Sequence, residues 1–260
     1  MGQRNARPPR GGRGRIPGRI GMAADIVQIV SGLVSIAESG VNMGMQAGET
    51  RASGSGENTP KKAEEVKLPH KFEAIVADAD SHIDKSSNGK LYEQLYSGVF
   101  LNQKRKKYWI DKETQGNSFI MYARDLNIGL GVWHWIPVEE TRNVFVEAAE
   151  LMTASSLDIV GKFDTTYLSP LILYEILFVI MKKVTPGPSQ LKLLSVVQFP
   201  NGLKQEHTVD SNMQENKWVE IPVGKFITSP ENEGKMQISL NGTAGEEEIA
   251  FKGIIIRPKS

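Results

Sequence analysis

The alternation of hydrophobic and polar residues changes along the chain, and from residue 107 onward it follows the two-residue period of β-strands. Within residues 151–163, Leu157 and Ile159 fall on one face and Asp158 and Lys162 on the other. The other β-rich segments are residues 119–123, 172–184, 190–199, 203–209, 217–226, 235–240 and 249–257. This pattern predicts a series of short strands.

A strong turn signal separates two of these predicted strands, namely Pro200-Asn201-Gly202. Asn-Gly readily supplies the positive φ angles of a tight hairpin turn, so we expect an antiparallel hairpin there. Short strands joined by turns rich in proline, glycine and asparagine are typical of all-β proteins. We therefore predict an antiparallel β-sandwich of jelly-roll-like form.

The first hundred residues follow a different pattern. Apolar residues of segment 22–39 recur at helical spacing and predict an amphipathic helix, whereas residues 40–67 are rich in Gly, Ser, Thr and charge and predict a flexible linker. Apolar clusters near Phe72 and Leu91 predict helical turns within residues 68–107. The basic run 104–107 is interpreted as a solvated strand edge, with a nuclear-import signal as the alternative.

The charge is distributed unevenly. The 260 residues carry a net charge of +1, yet residues 1–21 contain no acidic residue and six arginines: Arg4, Arg7, Arg10, Arg13, Arg15 and Arg19. The remaining residues carry 25 basic and 30 acidic side chains, a net charge of −5. The sequence therefore predicts a disordered cationic arm attached to a mildly acidic body.

The arm has several interpretations. Its arginines could bind RNA through charge. The arm could instead be a disordered leader, or the true start could be Met22. Apolar residues 26–37 also resemble the core of a secretory signal, although Asp25 and Gln28 argue against one. No run approaches the ~18 to 20 apolar residues of a membrane span, so we expect none.

Motifs for catalysis are missing from the sequence. The chain has no cysteine, which excludes disulfides and thiolate chemistry, and its four histidines are scattered. No metalloprotease, nucleophile-elbow or phosphate-loop motif occurs. Glu139 and Glu140 are adjacent, but neighbours in a strand point to opposite faces, and such runs are usually solvated loop charge. We therefore expect a non-catalytic protein without cofactor or metal.

Three of the four tryptophans lie within 27 positions, at Trp109, Trp133 and Trp135. Trp133-His134-Trp135 follows the turn Gly129-Leu130-Gly131. An indole can cover the apolar face of a flat ligand and still donate a hydrogen bond, and binding residues are often carried on loops. Loop 127–133 is therefore the candidate binding loop, although each tryptophan could equally fill a β-core.

The sequence resembles the plant phloem protein 2 family, which includes the tobacco agglutinin lectin. Matching blocks occur in order across the chain at residues 108–111, 122–128, 133–135, 157–165, 168–170, 174–175, 217–226 and 252–259. Residues 69–75 and 97–101 extend the match to members with an N-terminal extension, while residues 1–67 are not covered. On this basis residues 68–107 are assigned to the extension and residues 108–260 to the lectin domain.

The resemblance implies a lectin that binds N-acetylglucosamine oligomers, N-glycan cores and glycoproteins. It further implies a homodimer located in the cytoplasm of phloem cells, with entry into the nucleus as an option. In the implied sugar site Trp133 stacks on the sugar, Leu130 and His134 line the loop, and Lys235 stands near the position of a family glutamate. Trp135 and Trp218 are expected to be core residues, with Trp135 on the side of its strand opposite to Trp133.

An alternative interpretation is a structural or RNA-binding phloem protein that uses the sandwich as a dimerisation scaffold. The arginine-rich arm would then supply the contacts to RNA.

Overall fold

The computed structural model describes residues 67–129, 131–153, 156–184, 191–209, 213–243 and 248–259. Two antiparallel sheets carry this part of the chain, which confirms the predicted β-sandwich. The predicted arm, amphipathic helix and linker of residues 1–66 lie outside the described residues. No helix in these ranges is long and apolar enough to cross a membrane.

Two helices come before the first strand. Helix α1 (Phe72–Ile75) continues into a 3-10 turn, and helix α2 (Asn88–Ser97) begins where the Ser87 side chain accepts a hydrogen bond from the Lys90 N–H. The helical turns predicted near Phe72 and Leu91 are thereby confirmed. Both residues are buried in the core between the sheets, so the segment from Phe72 packs as part of the sandwich.

Sheet A has eight strands, and β13 is at its centre. Strand β13 pairs with β8 on one side, while β3 and β6 share its other side. The strands of sheet A are β1 (Val99–Leu101), β2 (Lys106–Ile110), β3 (Asn117–Tyr122), β5 (Val132–Thr141), β6 (Val144–Thr153), β8 (Leu173–Lys182), β11 (Trp218–Ile227) and β13 (Ile249–Pro258).

Sheet B has five strands in the order β10-β9-β12-β7-β4. They are β4 (Asn127–Gly129), β7 (Leu157–Asp164), β9 (Lys192–Gln198), β10 (Lys204–Val209) and β12 (Lys235–Thr243). Strands β9 and β10 form the hairpin predicted from Pro200-Asn201-Gly202, and Gly202 has the positive φ of 86° that the turn needs. In β7, Leu157 and Ile159 are buried and Lys162 is exposed, which confirms the predicted alternation there.

Three expectations about the strands were wrong. Residues 151–163 are two strands, because β6 ends at Thr153 in sheet A and β7 begins at Leu157 in sheet B. Strands start at Val99 rather than near residue 107. In the basic run 104–107, Lys104 and Arg105 are exposed in the turn before β2, but Lys106 and Lys107 do not lie on a sheet edge, since β2 pairs with both β1 and β3. Lys106 contacts Asp125, and Lys107 contacts Glu140.

Hydrophobic side chains fill two layers. The main core lies between the sheets and includes Phe119, Phe163 and Phe251. A smaller cluster covers the outer face of sheet A, where Trp109 and Trp218 pack, half-buried, on residues such as Ile120 and Val179. Trp218 was expected in the core, and its place on the outer face corrects that expectation.

Candidate functional site

The tryptophan segment lies at one end of the sandwich. The pairing registers place the connections β4–β5, β6–β7, β8–β9, β10–β11 and β12–β13 together at this end. Strand β4 ends at Gly129, and β5 begins at Val132 after Gly131, which has a positive φ of 96°. The chain thus crosses from sheet B to sheet A in a short turn, and the first residues of β5 stand at the rim. We call this region the loop end.

Trp133 and Trp135 share one side of strand β5. Consecutive pairs join Trp133 to Leu151 and Trp135 to Ala149, so the strand is regular across both positions. Side chains two residues apart in a regular strand point the same way. The expected placement of Trp135 on the opposite side from Trp133 was therefore wrong.

The two indoles nevertheless have different neighbours. The Trp133 ring meets Phe251 edge-on at 5.8 Å between centroids and packs, half-buried, against the main core. The Trp135 ring is covered by the Arg124 guanidinium, whose Cζ lies 3.5 Å from the ring centroid, and Arg124 forms two hydrogen bonds of 2.8 Å to Glu147. Trp135 is therefore held by a stacked arginine, whereas Trp133 stands nearer the rim.

His134 lies on the opposite side of the strand from the two tryptophans. It is exposed and pairs across the hairpin with Glu150, which forms an ion pair of 2.9 Å with Lys183. The expectation from the sequence did not include Glu150 or Lys183. Both stand at the loop end beside His134 and can exchange hydrogen bonds with a polar ligand.

Lys235 does not join the other predicted site residues. It opens β12 and forms an ion pair of 2.9 Å with Asp164 at the end of β7, whereas Gly129 pairs with Asp158 near the start of β7. Six residues of strand separate the two places, or roughly 20 Å. The register between β12 and β7 places Lys235 at the far end of the sandwich, where its bond to Asp164 raises the pKa of its ammonium. Leu130 lies outside the described residues.

The adjacent carboxylates Glu139 and Glu140 do not form an acid/base pair. Glu139 is exposed and accepts a hydrogen bond from the Asn143 N–H, while Glu140 lies on the outer face between Lys107 at 3.4 Å and Lys252 at 2.5 Å. The expectation that this run is solvated loop charge was wrong for Glu140. Burial acts to raise the pKa of Glu140, but Lys252 and Lys107 outweigh it and keep that pKa below its usual value.

We expect Glu140→Gln to lower the free energy of unfolding by about 2 kcal/mol, because it leaves two lysines without their anion at a largely buried position. The folded-state pKa of Glu140 is depressed, so its contribution is present at neutral pH and is lost as the pH falls through that pKa. Urea denaturation at pH 7 and pH 3 measures both effects, and the difference between wild type and variant should shrink at pH 3.

The matched control is Glu139→Gln on the same strand, since its amide oxygen can still accept the bond from Asn143. We expect it to change stability by less than about 0.5 kcal/mol. Equal losses for the two variants, or a Glu140→Gln loss that is unchanged at pH 3, would contradict the assignment.

Comparison with known proteins decides the family. The model of the family described as Phloem protein 2 matches residues 116–258, which include most of both sheets and the loop end. The chain belongs to the phloem protein 2 family. In this phloem protein 2 chain, strands β1 and β2 and the helices before them lie ahead of the matched region.

Several known proteins are similar in sequence to this phloem protein 2 chain over most of its length. Protein PHLOEM PROTEIN 2-LIKE A1 of Arabidopsis thaliana is 38% identical over 77% of this chain and 85% of that protein. A protein named Lectin, from Luffa acutangula, is 36% identical over 75% of this chain and 97% of its own length. The F-box protein PP2-B13 of Arabidopsis thaliana is 28% identical over 74% of this chain and 83% of its own.

Proposed function

We propose that this phloem protein 2 domain is a non-catalytic lectin that binds N-acetylglucosamine oligomers or N-glycan cores at the loop end. The observation that supports it most is the position of Trp133, half-buried at the rim of the sandwich and fixed by Phe251. A relative named Lectin, matched over 97% of its own length, supports carbohydrate as the ligand class. Relatives named as phloem proteins support a role in phloem tissue.

The chemistry of the loop end suits a sugar ring. An indole covers the apolar C–H face of a pyranose, and burying ~100 Å² of apolar surface at ~25 cal/mol/Å² stabilises the complex by about 2.5 kcal/mol. His134, Glu150 and Lys183 stand at the same rim on the opposite face of sheet A from the Trp133 indole, where they can supply donors and acceptors for the hydroxyl or acetamido groups of a further sugar unit of an oligomer. A millimolar site needs ~4.1 kcal/mol, so stacking and hydrogen bonds are both required.

Because Lys235 stands at the opposite end of β7, the proposed site consists of Trp133 and His134 with the side chains around them. The predicted contribution of Leu130 stays a prediction. So do the homodimer, the cytoplasmic or nuclear location, and RNA binding by the arginine-rich arm.

We expect Trp133→Ala to weaken binding of an N-acetylglucosamine tetramer by roughly 60-fold, the equivalent of about 2.5 kcal/mol of lost stacking. Isothermal titration calorimetry on the full chain measures the change. Trp135→Ala is the matched control, because that indole shares the strand and the side but stacks on Arg124. Circular dichroism establishes that both variants are folded. Equal affinities of Trp133→Ala and wild type would exclude Trp133 as the stacking residue.

A further inference from the structure

A groove of about 420 Å³ crosses the outer face of sheet A, and no role at the loop end accounts for it. Trp109 of β2 and Trp218 of β11 line it from two sides, over a floor that includes Ile120, Val179 and Ile255. The end of helix α2 adds a wall at residues 96–97. This volume is within the range of small-molecule and cofactor sites.

The groove is long as well as concave. The pairings run β2-β3-β13-β8-β11, so the strands of Trp109 and Trp218 are four spacings apart, or roughly 19 Å. Both indoles are half-buried against the same outer cluster, which fixes their position and leaves part of each ring accessible. A ligand that contacts both must be extended rather than a single ring.

The charged groups that line the groove are engaged with one another. Glu140 is held between Lys107 and Lys252. On the other side Arg257 donates hydrogen bonds of 2.9 Å to Glu175 and 2.7 Å to Glu220. All of these side chains lie on strands of sheet A, so their donors and acceptors are held in place before a ligand arrives.

This combination selects among ligand classes. A polyanion would meet the Glu140 and Glu220 carboxylates and would have to compete for cations that are already paired. An apolar peptide would remove water from the ion pairs without replacing its hydrogen bonds. A neutral, hydroxyl-rich chain satisfies both constraints, since its hydroxyls bond to the fixed polar groups and its apolar ring faces cover the indoles.

We propose that this outer-face groove is a second ligand site, which binds a neutral oligosaccharide chain with one sugar ring stacked on Trp109 and another on Trp218. The site is separate from the loop end, and its existence does not depend on Trp133. It gives the domain two sugar-binding surfaces, which raises avidity for glycans that present several chains.

The four tryptophans make the test direct, because each gives one indole N–H signal in a ¹⁵N NMR spectrum. The full chain is titrated with neutral tetrasaccharides built from N-acetylglucosamine, glucose, xylose or mannose. At least one should shift the Trp109 and Trp218 signals along a single binding curve while Trp135 stays unchanged. The Trp133 signal reports the loop end separately, so failure of one site is distinguishable from failure of the other.

Two results of the titration would overturn the proposal. One is that no tetrasaccharide moves both the Trp109 and the Trp218 signal. The other is that a short RNA or heparin fragment moves them more strongly than any neutral sugar does, which would make the groove a polyanion site.

Variants test the same two indoles. Trp109→Ala and Trp218→Ala should each weaken binding at the groove at least tenfold, read from the remaining groove indole. Trp218→Phe keeps an aromatic ring on the outer cluster and serves if the alanine variant does not fold; it should give a smaller loss. Trp135→Ala is the matched control and should leave groove binding unchanged. Folded groove variants with wild-type affinity would overturn the proposal.

Discussion

Asn117→Ala is expected to lower the free energy of unfolding by about 3 kcal/mol or more. The Asn117 side chain is fully buried and accepts a hydrogen bond from the Tyr108 hydroxyl at 3.0 Å. Its amide nitrogen donates to the His70 carbonyl at 2.8 Å and to the Tyr167 carbonyl at 2.7 Å. Truncation leaves three polar groups without this partner, and each unsatisfied buried group costs about 1–3 kcal/mol.

The network explains why the loss should be large. The backbone of Asn117 also bonds to Ser169 and Tyr174, so one residue joins the segment before α1 to β2, β3 and the start of β8. Burial raises the pKa of the Tyr174 hydroxyl to about 12, which keeps it neutral and able to donate. Urea denaturation followed by circular dichroism measures the change in stability.

Tyr108→Phe is the matched control, because it removes a single bond from the same network and should cost about 1 kcal/mol. Comparing the two variants separates the loss of all the Asn117 side-chain bonds from the loss of the Tyr108 bond alone. If Asn117→Ala lowers the free energy of unfolding no more than Tyr108→Phe does, Asn117 is not the central residue of this hydrogen-bond network.

Gly253→Ala is expected to lower the free energy of unfolding by about 3 kcal/mol, or to prevent folding altogether. Gly253 follows a bulge in β13, the strand that pairs with β3 and β8 at the centre of sheet A. A Cβ added there would overlap the carbonyl oxygen of Met121 and lie 3.0 Å from the Tyr122 Cα. Both are backbone atoms of β3, so relief requires the two strands to separate.

The matched control is Gly89→Ala in helix α2, where an added Cβ meets nothing within 4 Å. Alanine favours helix over glycine, so this change should be neutral or stabilising by up to ~1 kcal/mol. Thermal denaturation of both variants gives the comparison. If the two variants change stability in the same direction and by the same amount, the close approach of the β3 backbone to Gly253 is not the reason that alanine is unfavourable there.

Strands β7, β9 and β12 of sheet B could be predicted from the sequence because each buries one face, so buried hydrophobic residues recur at every second position over much of the strand. The hairpin of β5 and β6 was missed for physical reasons. Pro137 lies within β5, and a proline in the sequence argues against a strand. Among the described residues, however, β5 pairs with β6 alone, so it is an edge strand, where proline is tolerated. Ala148 and Ala149 in β6 also carry little strand preference.

The candidate site was predicted only in part. Trp133 could be proposed as a candidate binding residue from the sequence, because it is an aromatic residue directly after a glycine-rich turn. The far position of Lys235 could not be found, since it depends on the register between β12 and β7, which joins residues about seventy positions apart. The same holds for the groove: Trp109 and Trp218 meet one surface only through pairings among five strands.

The central claim, sugar binding at the loop end, is tested most directly by a glycan array probed with the full-length wild type and with Trp133→Ala. We predict that the folded wild type binds N-acetylglucosamine oligomers or N-glycans, and that the signal falls sharply for Trp133→Ala but not for Trp135→Ala. Folded wild-type protein that binds no glycan, or a Trp133→Ala variant that binds as strongly as wild type, would contradict it.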